Sequence, residues 1–398
     1  MTAAPSPTVW NNRHFLSLWS GLLVSNLGDW ISYVAMFAVV YQQTHSALAV
    51  VGLRLVHIVP ELLFAPFAGV FVDRWNRKRT MVVAPLAVSL IVGSLVFAHP
   101  TAVIFVAEFA ITLGDMFFEP AFLAALPNIV SEEQLTSANT LSRITSTAAT
   151  LAGPLIGGLL IAGVGASAAF GVDAVSFLVI AILVTTIRVP QGVRPPSVAT
   201  IERELLEGIR YLRAEPMVAT VVTAGAIFIL VPSTIFTVGI VFSDSVLRAG
   251  SAGYGVLLAA GGAGSLVAAL TLISGRLRVP EQLSFAVSGI LQGAAFVLMG
   301  FSHVLLPAAL LYGAADSMAT VNTVSSVTLI QRLVPDALRG RVFGASSSLT
   351  HFAAAVSALF VAATVGLLGA GGVISVAGVA AVLGGFWTLF MLRRQQRA

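Results

Sequence analysis

Residues Gly69 to Arg79 read GVFVDRWNRKR. Four cations, Arg74, Arg77, Lys78 and Arg79, are crowded together with one carboxylate, Asp73, between apolar runs at residues 47 to 72 and 80 to 98. A helix crosses the hydrocarbon core with about 20 largely apolar residues, and both runs match that length. Working outward, the alternation repeats until there are twelve runs: 15–41, 47–72, 80–98, 101–122, 139–163, 167–187, 217–243, 252–275, 281–301, 304–330, 340–367 and 371–392.

The cations alternate too. Arg13, the 74–79 cluster, Arg143, the 188–213 arginines, Arg276, Arg278, Arg332, Arg339, Arg341 and the C-terminal arginines occupy the termini and every second connection, Arg143 and Arg341 falling in the opening residues of the run that follows one. That places 19 of the 21 Lys and Arg residues on one side. The opposite connections hold only Arg248, and Arg54 lies inside the second run. Cytoplasmic loops of membrane proteins carry the excess of Lys and Arg, so both termini are expected in the cytoplasm and the even number of spans agrees.

Composition gives the same class. A chain of 398 residues with 57% hydrophobic and 10% charged residues and a mean hydropathy of +0.96 is no soluble domain, since those carry roughly 25% charged residues. The pI near 9.9 reflects cations spread over the loops as orientation signals, which argues against a nucleic-acid partner. The absence of cysteine excludes disulfides, thiolate metal sites and cysteine nucleophiles. No Gly-rich phosphate loop or metal-ligating cluster is visible, so no cofactor is expected. Residues 1 to 14 lack the order of a cleaved signal peptide, so the first span is expected to stay in the mature protein.

The one long polar connection divides the chain. Residues 1–187 hold six runs, 188–216 form the connection, and 217–398 hold six more. Within the connection RVPQGVRPPS breaks the preceding helix. Val198, Ile201, Leu205, Ile209 and Leu212 then recur at helical spacing opposite Glu202, Arg203, Glu207, Arg210 and Arg213. Two readings stay open for this piece, an amphipathic helix along the inner membrane surface and a solvated linker helix. Local likenesses at an offset near 203 residues, such as NIVSEEQLTSAN and RLVPDALRGRV, indicate a parallel six-plus-six repeat.

The Gly69–Arg79 stretch resembles the cytoplasmic signature of the major facilitator superfamily, G-x-x-x-D-R-x-G-R-[KR]. It departs where Asn76 replaces the second glycine. Asn tolerates the left-handed backbone region best after Gly, so that conformation is expected at Asn76. The resemblance implies a gating role for Gly69, Asp73, Arg74 and Arg77. The matching loop of the second half is reduced to Gly275, Arg276 and Arg278, so any inner latch is asymmetric. In the fifth span, Gly153, Pro154, Gly157 and Gly158 resemble the antiporter motif of exporting branches of the superfamily. Physically, the proline kinks the helix and the glycines permit close contact on one face. SNLGDWIS, LPNIVSEEQLTSAN, EGIRYLRAEP and VPDALRGRVFG resemble the bacterial subgroup that includes macrolide and siderophore exporters. The resemblance implies two six-helix bundles related by pseudo-twofold symmetry, with spans one, four, seven and ten lining a cavity. It also implies proton-driven export by alternating access.

Ionisable residues within the hydrocarbon are costly, on the order of 3 kcal/mol each, and each is a functional candidate. They are Asp29; Arg54, His57 and Glu61; Glu108, Asp115 and Glu119; Asp173; and Asp316. Glu108, Asp115 and Glu119 share one stripe of span four. Three carboxylates cannot comfortably all stay ionised in low dielectric, so this stripe is the preferred proton site. Span four carries no arginine, although many proton antiporters of the superfamily have one there, so coupling must run through the carboxylates. Asp115 and Asp316 are near equivalence in the repeat and are expected to face each other. Plainer roles stand beside these: Asp29 capping a break after Gly28, Glu119 marking a helix end before Pro120, and Asp173 as a structural acceptor. In span two, Arg54 to Glu61 is the expected neutralising bridge, helped by His57 or another helix, and His57 is a candidate relay.

The expected protein is a monomeric secondary transporter of the bacterial inner membrane, not an enzyme. It exchanges protons for amphiphilic small molecules such as drugs or secondary metabolites. Trp30, Tyr33, Phe37, Phe117, Phe118, Phe122, Phe228 and Phe236 supply apolar wall. A lipid or lysolipid flippase of the same fold is the alternative. An intramembrane hydrolase built on Ser347 and His351, four residues apart, is a third reading.

Overall fold

The computed structural model describes residues 9–98, 100–189, 207, 210–273 and 279–395. Its long helices are α1 (Arg13–Thr44), α2 (Ala47–Arg74), α3 (Arg77–Ser94), α4 (Thr101–Ile129), α5 (Glu132–Gly163), α6 (Ala166–Thr186), α7 (Pro216–Val241), α8 (Gly250–Ile273), α9 (Glu281–Gly300) and α10 (Leu305–Leu333). A last helical segment, Asp336–Gln395, breaks at Gly369, whose φ of 67° and ψ of 172° no helix contains. The break divides it into α11 (336–368) and α12 (370–395). Among the described residues there is no strand.

Eight of these segments are long and apolar enough to cross a membrane, and the one at Arg341–Arg394 spans the Gly369 break. Of the others, α2 contains Arg54, His57 and Glu61, α3 opens on Arg77, Lys78 and Arg79, and α10 carries Asp316 and Asn322. Outward-facing stripes such as Val379, Leu383, Phe386 and Phe390 on α12 are exposed at helical spacing. In water such a face is an association liability, but in a bilayer it is the lipid surface. The chain is an all-α polytopic membrane protein.

Helix ends follow local chemistry. Asn12 Oδ1 accepts from Phe15 N at 3.1 Å, and Asn12 Nδ2 donates to Ile129 O at 2.8 Å, so one side chain caps α1 and ties it to the end of α4. Ser131 and Gln134 make a reciprocal capping box at the start of α5. α4 runs through Pro120 and Pro127 to Ile129, so Glu119 does not mark its end.

Two compact units result. The first comprises residues 1–43 and 63–198, the second 44–62 and 199–398, so the two ends of α2 belong to different units. In the first unit, Phe15, Leu18, Met81, Leu126, Ile180 and Val184 form one buried cluster, and Trp19 Nε1 donates to Thr145 Oγ1 at 2.7 Å. In the second, backbones meet directly. A Cβ on Gly293 would overlap Gly378 O, and one on Gly300 would overlap Gly371 O, so α9 lies against α12 along a seam of glycines. The same holds for α8 and α10 at Gly264 and Gly313. Lipid tails are as apolar as leucine, so close packing of this kind holds membrane helices together.

Candidate functional site

Three acidic residues of the first unit, Glu108, Asp115 and Asp173, act on Asp29 in the middle of α1. This stretch is gripped from two sides. A Cβ on Gly28 would collide with Ser176 Oγ and lie 2.7 Å from Asp173 Oδ1, so glycine is what lets α6 reach the α1 backbone. From α5, Gly153 sits against Trp30 and the Leu27 carbonyl, and Gly157 sits over Ile31, where a Cβ would be 3.0 Å from the Ile31 backbone. Pro154 and Gly158 are buried in the same turn. The glycines of the fifth span therefore press α5 onto the segment that carries Asp29. α1 is unbroken from Arg13 to Thr44, so Gly28 marks a helix contact and Asp29 caps no break.

Asp29, Glu108, Asp115 and Asp173 lie close enough to interact electrostatically, with Asp115, Asp173 and Glu108 all acting on Asp29 and Glu108 also acting on Asp173. Asp173 is 1% exposed and Glu108 3%, Asp115 is half-buried and Glu119 is exposed. The α4 stripe thus runs from enclosed to open. Ser176 Oγ donates to Asp173 Oδ1 at 3.2 Å, while Asp173 Oδ2, Asp29 Oδ1, Asn26 Nδ2 and Ser32 Oγ are buried without a hydrogen-bond partner. An unsatisfied buried polar group costs about 1–3 kcal/mol. Like charges gathered away from water also repel one another more strongly than they would in solvent. The arrangement therefore favours arrival of a positive charge. Beside it, the rings of Trp30, Tyr33 and Phe37 stand in a row, with centroids 5.6 Å and 4.4 Å apart.

The second unit holds a simpler site. Ser265 Oγ of α8 donates to Asp316 Oδ2 of α10 at 2.5 Å, and Ser317 Oγ donates to Gly264 O at 2.8 Å. Asp316 thus sits beside the Gly264–Gly313 crossing, in a different unit from Asp115. In α2, Glu61 pairs with His57 at 3.8 Å, while the Arg54 guanidinium lies over the Phe236 ring, 5.7 Å from its centroid. The bridge expected from Arg54 to Glu61 is replaced by these two contacts, because seven residues along one helix separate the groups by about 10 Å.

The loop motif is only partly described. α2 is helical through Arg74, but the side chains of Gly69, Asp73 and Arg74 lie outside the described ones. Arg77 is buried, and Lys78 Nζ donates to the carbonyls of Thr185 and Ile187, both at 2.7 Å, closing the end of α6. Asn76 does not take the expected left-handed conformation. It is extended (φ −73°, ψ 108°), and its side chain accepts from Arg79 N at 3.0 Å as the cap of α3. Capping satisfies an amide that a glycine would leave bare, which explains the substitution without a left-handed turn. Gly275, Arg276, Arg278 and most of the 188–216 connection lie outside the described residues, although Glu207 pairs with Arg341 at 2.7 Å. The hydrolase pair is not assembled: His351 Nδ1 contacts the backbone carbonyl of Ser347 at 2.9 Å.

The sequence marks Asp173 as a candidate with a plainer role as a structural acceptor beside it, and it does not single out Asn26 or Ser32. The available signal was Gly28 next to Asp29, but nothing in the sequence says which helix a glycine faces.

The family model described as "Transmembrane secretion effector" matches residues 4–397. An uncharacterised MFS-type transporter of Bacillus subtilis (strain 168) is 26% identical over 361 residues, covering 87% of this chain and 85% of that one. Macrolide efflux protein A of Streptococcus pyogenes is 27% identical over 224 residues, 54% of this chain and 55% of the relative. The enterobactin exporter EntS of Escherichia coli O1:K1 is 26% identical over 284 residues, 69% and 67% of the two chains. Among solved structures, a bacterial homologue of the iron transporter ferroportin in an inward-facing state shares the fold, with a TM-score of 0.73 at 17% identity over 95% of this chain and 98% of that one.

Proposed function

This chain belongs to the transmembrane secretion effector family of major facilitator transporters, and from that footing we propose that it exports amphiphilic small molecules in exchange for protons. The family and the relatives are transporters, not enzymes. The relatives named for macrolide and enterobactin efflux support the direction. The observation that carries the coupling is the group of Asp29, Glu108, Asp115 and Asp173, in which one oxygen of Asp29 and one of Asp173 are buried without a hydrogen-bond partner beside other acids. A proton entering that group relieves repulsion, and a lipophilic cation competes with it for the same charge. The aromatic row from Trp30 to Phe37 offers such a cation an apolar and π-rich wall.

In this reading the halves 1–187 and 217–398, joined by 188–216, work by alternating access, with Asp29, Asp115 and Glu119 the working acids of the first half and Asp316 that of the second. The Gly69–Arg77 motif gates the inner side, and His57 and Glu61 lie toward the outer end of α2. The protein works as a monomer in the bacterial inner membrane with both termini cytoplasmic, an orientation supported by the one-sided distribution of its cations. One pH unit supplies about 1.4 kcal/mol per proton, enough for tenfold accumulation of a solute exchanged one for one.

Everted membrane vesicles test the proposal. An imposed pH gradient, acid inside, is expected to drive accumulation of erythromycin or enterobactin, with proton efflux from the vesicle that depends on the added compound. If neither compound moves and neither elicits proton flux, the exporter reading is wrong.

A further inference from the structure

The partnerless atoms around α1 do not all belong to the α4 stripe. Asp173 comes from α6, where it is 1% exposed and Oδ2 has no hydrogen-bond partner. Its other oxygen is held by Ser176, which also donates to the Asp173 carbonyl at 2.8 Å, so the carboxyl group is fixed in place. Ser32, 2% exposed on α1, faces this carboxylate with a hydroxyl that completes no hydrogen bond. Asp29 brings a second enclosed and partnerless oxygen. Gly28 is what lets α6 bring Asp173 up to the α1 backbone next to Asp29, because any side chain there would displace Asp173 and Ser176.

We propose that Asp29 and Asp173 form one proton-holding pair between α1 and α6, occupied by a single proton and served by the hydroxyls of Ser32 and Ser176. Its role as the coupling site rests on the exporter reading above, and it moves the proton from the α4 stripe to the α1–α6 contact. Loaded, the protonated carboxyl donates to its partner carboxylate or to Ser32, and the pair carries one negative charge. Emptied, it carries two, and the acids repel each other across the helix contact that Gly28 makes close. The titratable groups acting on Asp29 are Asp115 and Glu108 from α4 and Asp173 from α6. α5 meets the same stretch with Gly153 and Gly157. The groups that act on Asp29 are all acids, so a proton relieves the repulsion they exert on it.

Infrared difference spectroscopy of the full chain in liposomes reads the pair without a transport substrate. A protonated-carboxyl carbonyl band is expected at neutral pH and is expected to vanish on alkalinisation. It should be lost at neutral pH in both Asp29→Asn and Asp173→Asn and retained in Asp115→Asn and Asp316→Asn. A band that survives either of the first two variants, or disappears only in Asp115→Asn, overturns the proposal. Should an Asn variant fail to elute as a monodisperse protein, Ser32→Ala and Ser176→Ala carry the test. Each keeps both acids and is expected to shift the carbonyl frequency without abolishing the band, and no shift in either overturns the pair. The vesicle assay separates the two levels. Gradient-driven export with the band failing these tests removes the pair alone, whereas no export with the band behaving as described removes the exporter reading alone.

Discussion

Gly28 shows how much one missing Cβ decides. An added methyl would meet Ser176 Oγ and Asp173 Oδ1 inside a packed contact, and overpacking of this kind costs about 1–3 kcal/mol. Gly28→Ala is therefore expected to lower the thermal unfolding midpoint clearly. Gly163→Ala, where nothing lies within 4 Å, should stay within about 0.5 kcal/mol of the parent. Equal losses in the two proteins would mean that the α1–α6 approach is not tight. Ser265 is the counterpart in the second unit. Its hydroxyl is the hydrogen-bond donor found for Asp316, and side-chain bonds inside membrane proteins average about 0.6 kcal/mol with a maximum near 1.7. Ser265→Ala should lose about that much in reversible unfolding in detergent, while Ser265→Thr, which keeps the hydroxyl, should recover part of it. At this scale the sequence exposes the costly residues, since an acid in an apolar run stands out by composition. It conceals their partners: Asp316 was legible, but the Ser265 that serves it was one hydroxyl among many.

Among the elements, α5 gives the sharpest case. The Gly153–Gly158 pattern marks a kinked face meant for close contact, and the structure supplies the other party, Leu27 to Ile31 of α1. Branched bulk at Gly157 would press on the Ile31 backbone, which cannot rotate away. Gly157→Val is expected to leave the protein in the membrane at near-normal abundance by immunoblot yet cut gradient-driven export at least tenfold. A substitution of the same size at Ile156, 44% exposed on the same helix, should leave export unchanged. Export persisting in Gly157→Val would show that α5 and α1 need not touch. Helix positions were legible because hydropathy and Pro/Gly punctuation report the solvent each segment sees. The gap between the last two runs falls at residues 368–370, where Gly369 breaks the helix. Hydropathy is silent about neighbours, however. It gave no sign that residues 47–62 of α2 group with the C-terminal helices while the rest of that helix stays with the first unit. It also could not distinguish an Asn that bends a turn from one that caps α3.

Across the whole molecule, the distribution of positive charge sets the expected orientation in the membrane. Nineteen of the 21 cationic side chains fall on one side of the span pattern, and Arg248 stands on the other. Each basic residue near a span end biases insertion, so reversing the chain would require many such preferences to be overridden together. The structure adds the fitting local detail. Arg248 follows the π-helical turn at Phe242–Val246, and Arg393 and Arg394 close α12 at the end of the chain. Because the sequence contains no cysteine, a single introduced thiol is the only one to react. In intact cells a membrane-impermeant maleimide is expected to label Arg248→Cys and to leave Arg394→Cys unmodified until the membrane is permeabilised. Everted vesicles should give the opposite pattern. The assay discriminates because 248 and 394 are separated by α8 to α12, an odd number of crossings, so the two positions must lie on opposite faces if each of those helices spans the bilayer. Labelling of both thiols from one side would show that at least one of them does not, and it would remove the topology on which alternating access through two bundles depends.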